Sequence, residues 1–164
     1  MAMLRELKEF RSKINQKLCS DQKIVDLIND NLNSPIPDRD LMYKQIYPYA
    51  YTPDAVKDTG TFICHRIYIP EVMNKTFKRM SIVFYVFVHQ DYIRTSEGLR
   101  YDLIAERIED LFNGAMDLGV GRIKLIEIND ISPAPKFHGI SLEYAVAEFN
   151  RPTINGDPRA GAEA

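Results

Sequence analysis

From Arg79 to Asp91 the chain reads RMSIVFYVFVHQD, and Ile82 to Val88 is an unbroken run of Ile, Val, Phe and Tyr. Successive side chains of a strand point to opposite faces. A strand of this composition therefore has no polar face and needs cover on both sides. One face, Ile82, Phe84, Val86 and Val88, can pack beneath helices. The other, Val83, Tyr85 and Phe87, needs a second cover. Either the first helix or a proline-rich loop of the same chain supplies it, or a second subunit does, because a large exposed apolar patch marks an interaction surface.

The rest of the pattern supplies helices before and after that strand. Leu4, Leu7, Ile14 and Leu18 recur near the helical period. Ser20 or Asp21 can then cap a second helix carrying Ile24, Val25, Leu27, Ile28 and Leu32. Between Asn33 and Gly60 the period dissolves into a stretch with Pro35, Pro37, Pro48 and Pro53 and the tyrosines of YKQIYPYAY. Loops in compact domains usually have about 4 to 6 residues, so this stretch is expected to be an arm or a functional segment. Thr61 to Ile69 (TFICHRIYI) reads as a strand ended by Pro70, able to pair with the opening strand as an antiparallel hairpin. After it, Tyr101, Ile104, Ala105, Ile108, Leu111 and Phe112 share one helical face, with Gly114 suited to the C-terminal cap. Arg122 to Asn129 and Gly139 to Phe149 read as two further strands; in the second, Ile140, Leu142, Tyr144 and Val146 alternate on one face.

This order predicts an α+β fold: a small, mainly antiparallel four-stranded sheet with helices on one face, a helical pair at the N-terminus and a long Tyr/Pro-rich loop. With 164 residues and 45% hydrophobic content, one domain over 1–150 is expected, with 33–60 as loop or arm and 151–164 as a flexible tail. A formal charge of −2 gives no reason to expect nucleic acid or an anionic membrane as the main partner. No apolar run approaches the roughly 18 residues of a membrane span, so a soluble, cytoplasmically folded protein is expected.

Candidate chemistry is sparse. His89 and Asp91 in HQD, with His138, are the groups that would line a strand-end pocket, but a lone HxD lacks a third partner. Cys64 and His65 are adjacent, and adjacent strand residues face opposite ways. Cys19 and Cys64 have no CxxC spacing, so neither a disulfide framework nor a zinc site is expected. GVGR, from Gly119 to Arg122, is too short for a phosphate loop. The carboxylates of Asp102, Glu106, Glu109 and Asp110 lie opposite an apolar stripe, as on an ordinary solvated helix face, with Arg100 and Arg107 on its flank, placed to neutralise the ridge or reach a neighbour. Tyr43, Tyr47, Tyr49 and Tyr51 suggest a contact surface, tyrosine being enriched at interfaces. These residues call for no enzyme activity, no metal and no cofactor.

The run SIVFYVFVHQDYIRTSEGLRYDLIAERIEDLFNG resembles the tail-completion proteins of tailed bacteriophages, within the head-tail joining and tail-terminator group. The likeness rests on an apolar strand, a polar turn, a G-L-R-x-D helix start and I-A-x-R-I-x-x-L-F-N, and it extends over roughly Thr61 to Asn150. It implies a structural virion subunit forming a ring, commonly a hexamer, at the head-proximal end of the tail tube. Its partners there would be the tail tube protein and the head connector or stopper, with DNA passing through the lumen. In such a ring the tyrosine loop and the tail from Arg151 would be the arms. Two alternatives stand beside it: a small-molecule binding module or enzyme built on His89, Asp91 and His138, and a regulatory protein sharing the scaffold.

Overall fold

The apolar run lies in a 13-residue strand, β3 (Phe77–His89), at the centre of a five-stranded sheet. The computed structural model describes residues 2–30, 36–37, 40–71, 77–118 and 121–149, without the side chains of 2–5, 71, 77, 148 and 149. Arg151, Leu32 and the expected tail lie outside these residues. In chain order come α1 (Ala2–Ser20), α2 (Gln22–Asn29), β1 (Ile46–Tyr47), β2 (Thr61–Glu71), β3, a small hairpin of β4 (Arg94–Thr95) and β5 (Gly98–Leu99), α3 (Arg100–Phe112), β6 (Lys124–Ile131) and β7 (Phe137–Phe149). The sheet order is β1-β2-β3-β7-β6. The fold is α+β, and every pairing in the large sheet is antiparallel except β1 with β2.

The sheet holds one strand more than the expected four. The addition, β1, runs parallel to β2 at Ile63 and Cys64, and two residues are too few to carry a period. Pro70, expected to end β2, lies inside it beside a register shift between Tyr68 and Glu71. Among the described residues the outer side of β2 is paired only at Ile63 and Cys64, so a missing N–H is tolerated there as on any edge strand.

Asp21 rather than Ser20 caps α2. It takes extended backbone angles, and its side-chain oxygen accepts the N–H of Ile24 at 3.1 Å. At the other end of the helical layer, Gly114 adopts φ +79 just after α3, a conformation that glycine enters without a Cβ penalty.

Phe10, Ile14 and Leu18 of α1, Ile24 and Ile28 of α2 and Ile104, Ile108 and Phe112 of α3 bury one apolar stripe each. All join one buried cluster with Ile82, Phe84 and Val86 of β3 and Leu142, Tyr144 and Val146 of β7. Phe84 is central: its ring lies 4.7 Å from Phe112 and 5.9 Å, edge to face, from Tyr144.

The second face has its own cluster, Tyr47, Phe62, Cys64, Phe87 and Phe137, with Tyr51 and Tyr85 against it. At Phe87 and Tyr85 its cover is therefore the proline-rich loop of the same chain, one of the sources left open by the sequence. The described part of that loop, 36–37 and 40–60, is not an outlying arm: Leu41, Ile46 and Tyr47 are buried. Beneath the cluster β7 approaches β3 so closely that a Cβ on Gly139 would lie 1.8 Å from the Val86 carbonyl oxygen.

Because Phe84 has no exposed surface, Phe84→Ala leaves a cavity between α3 and the sheet. Denaturant unfolding is expected to show a loss of about 3 to 5 kcal/mol. A loss below about 0.5 kcal/mol would remove Phe84 from the core.

Candidate interaction surfaces

The four tyrosines expected to act together divide into two pairs. Tyr47 and Tyr51 stack with ring centroids 4.0 Å apart and planes 4° from parallel, and Tyr47 lies 6.4 Å from Phe62. The Tyr51 hydroxyl donates to Asp58 at 2.6 Å, and Asp58 also accepts the Asp54 N–H at 2.8 Å. That hydrogen bond to Asp58 raises the Tyr51 pKa, and burial adds to it. This pair serves as cover for the sheet. Tyr43 and Tyr49 are 63% and 48% exposed, with rings 6.4 Å apart, and are the half of the set open to a partner. Tyr43 has φ +63, uncommon for a bulky residue. A tight turn holds it there, in which the Leu41 carbonyl accepts the N–H groups of Gln45 and Ile46 at 2.9 and 3.0 Å and the Tyr43 N–H donates to Ile46 at 2.8 Å.

The two arginines expected on the flank of α3 are used inside the chain. Arg100 has no exposed surface, which removes it from any contact with a neighbour. Its Nε donates to the Tyr92 carbonyl at 2.7 Å, Nη1 to the Leu27 carbonyl at 2.7 Å and Nη2 to Asp30 at 3.0 Å. A planar guanidinium with donors in a fixed fork is suited to joining three separate acceptors, and here it ties the end of α2 to the turn before β4. Arg107 donates through Nε and Nη2 to one oxygen of Asp21 at 2.8 and 2.6 Å. The other oxygen of Asp21 caps α2. Burial pushes the Asp21 carboxyl up, but Arg107 and the N–H groups at the start of α2 outweigh it and hold the pKa below the usual value.

The strand-end histidines do not converge. His89 Nδ1 accepts the Asp91 N–H at 3.3 Å and lies 3.4 Å from the Asp91 carboxylate. His89 pairs with Phe137 in the sheet, and their rings meet at 5.3 Å. His138 is the next residue of β7 and so faces the other way, where its Nδ1 lies 3.2 Å from the Ser132 hydroxyl. Cys64 and His65 likewise part across the sheet. Cys64 sits in the aromatic cluster, where burial pushes its thiol up to about 12. His65, on the helix face, has Nε2 2.5 Å from the Asn15 side-chain oxygen and its ring against Phe84. Among the described residues no three His, Cys, Asp or Glu side chains form a metal-binding group.

Two of the charged grooves combine residues from separate segments. Between α2 and α3, Asp26, Glu97, Glu106 and Asp110 gather with Lys23 and Arg107 over Leu27 and Leu103. Glu109, one of the four acids expected on this ridge, instead accepts from the Tyr144 hydroxyl and the Asn113 amide. At the far edge of the sheet, Arg79, Arg122 and Lys124 surround Leu125, Ile126 and Ala145. Ile126 and Ile128 of β6 are 45% and 52% exposed. The register shifts between Leu125 and Glu127, and such a bulge on an edge strand turns side chains away from regular alternation.

These features define an α+β sheet domain whose buried polar groups hold its own layers together and whose aromatic and charged side chains lie open at separate places. The chain belongs to the YomW family, whose model matches residues 21–146, from the cap of α2 to β7. No curated protein matches it.

His65 gives a pH dependence that can be read. Burial first, then the positive charge of Arg11, lowers its pKa to about 4. Below about pH 6.5 the unfolded chain takes up a proton that the folded chain refuses, so stability falls as pH drops from 6.5 toward 4. The full effect is on the order of 3 kcal/mol. It lies above the range in which Asp21, with its lowered carboxyl pKa, contributes. Denaturant unfolding across pH 7 to about 4 should show this decline in the natural chain and a much flatter profile in His65→Phe; equal slopes would contradict it.

Proposed function

We propose that this chain is a structural assembly subunit of a tailed phage or phage-like particle, a tail-terminator or tail-completion protein forming a ring at the head-tail junction. The reading rests on the likeness of Ser81 to Gly114 to tail-completion proteins. The observation that carries it is that this run forms one unit, β3, a small hairpin and α3, at the centre of the core. In that reading the ring, a hexamer in the commonest case, contacts the tail tube on one side and the head connector on the other. It is assembled in the host cytoplasm and ends in the virion, and DNA passes through its lumen.

A closed ring needs a heterologous interface, two different patches of one chain meeting on successive copies. Open side chains at several separate places favour this: Tyr43 and Tyr49 on the loop, and Ile126 and Ile128 along the edge strand. The competing pocket of His89, Asp91 and His138 loses its third member to the opposite face of the sheet, which is a specific reason to prefer the structural reading.

The test is complementation. A particle lacking this chain should accumulate separate heads and tails with tubes of uncontrolled length, and the added protein should restore joined particles of uniform length. His89→Ala with His138→Ala should restore them equally well. Normal particles in the absence of the chain, or a turnover lost in that double variant, would overturn the proposal.

A further inference from the structure

The two grooves differ in sign and lie on different layers. The groove between α2 and α3 is on the helix layer and holds Asp26, Glu97, Glu106 and Asp110. Of its two cations, Arg107 already serves Asp21 and Asp110, so the groove is left acidic. The groove at the β6 and β7 edge holds Arg79, Arg122 and Lys124. Among the described side chains, none of these three is in a salt bridge with a carboxylate, and the Arg79 Nε is buried without a hydrogen-bond partner. Both grooves have apolar floors, Leu27 and Leu103 in one, Leu125, Ile126 and Ala145 in the other.

We infer that copies of this chain join head to tail, with the acidic α2–α3 groove of one copy seated on the basic β6–β7 edge of the next. This rests on the ring reading above and assigns its contact. A two-fold contact centred on either groove would set that groove against itself and bring like charges together. A head-to-tail arrangement sets three cations against a surplus of carboxylates, which also selects the partner face and the register. Each groove uses one side of the molecule only, so every copy can hold two neighbours at once.

The experiment uses two charge-reversed chains. One carries Arg122→Glu with Lys124→Glu, the other Glu97→Lys with Glu106→Lys; all four positions are exposed, and melting curves check that both chains fold. Sedimentation should show the natural chain assembling, with assembly weakened by added salt, and each reversed chain alone dissociating at concentrations about tenfold higher or more. Mixed in equal amounts, the two reversed chains should assemble again, because each altered groove now meets its complement on the other chain. Reversed chains that assemble like the natural one, or a mixture that stays dissociated, would overturn the assigned contact and leave the ring standing. A natural chain that stays monomeric at its highest soluble concentration would overturn both. Binding of DNA by the basic edge in place of a second copy, lost in Arg122→Glu with Lys124→Glu while assembly persists, would assign that edge to a different partner and overturn the inference.

Discussion

The rest of the structure depends on a strand that is apolar on both sides. Buried apolar surface contributes roughly 25 cal/mol per Å², so a strand of Ile, Val, Phe and Tyr at the centre of a small chain is stable only when two layers are built around it. The helices supply one layer through regular stripes. The other comes from an irregular segment: Tyr47 and Tyr51 lie over Phe62, Phe87 and Phe137, and the two-residue strand β1 fixes the loop to the sheet through β2. Tyrosine suits this position because its ring buries while its hydroxyl finds a polar partner, Lys44 for Tyr47 and Asp58 for Tyr51.

Between the layers, charged groups act as ties. Arg100 and the pair of Asp21 with Arg107 each bind α2 to the segment around α3, and breaking a buried ion pair leaves a charge without compensation. Lys78, almost wholly buried, has its ammonium 3.6 Å from Glu6 of α1. His65 meets the same helix at Asn15. These polar side chains thus hold the helical layer in register.

Much of this was legible in the sequence, and what was not has physical reasons. Periodicity located α1, α2 and α3 and the alternating face of β7, because burial on one side writes a repeat into the chain. Asp21 was one of two possible caps, and only its hydrogen bond to Ile24 decides between them. Pro70 misled because a rule that holds inside a sheet relaxes at an edge. The tyrosine loop has no period, so the sequence offered it only as one of several possible covers, and its partners Phe62, Phe87 and Phe137 are brought together only by the strand order. Arg100 looked like a surface residue because its acceptors, two carbonyls and Asp30, are distant in sequence. The basic groove was invisible for the same reason: Arg79 comes from β3, and Arg122 and Lys124 from the segment that opens β6, two segments that meet only in the folded sheet.

The central claim, that the chain covers the second face of β3 itself, can be measured at Cys64, which is fully buried under the tyrosine loop. In a Cys19→Ser background only one thiol remains, and its rate of reaction with an aromatic disulfide reagent reports the cover. At dilutions where the chain is monomeric, Cys64 should react far more slowly than in the unfolded chain, and Tyr47→Ala with Tyr51→Ala should accelerate it. Reaction of the folded monomer at the unfolded rate, with protection appearing only on assembly, would mean that a neighbouring subunit supplies the cover and would contradict the account.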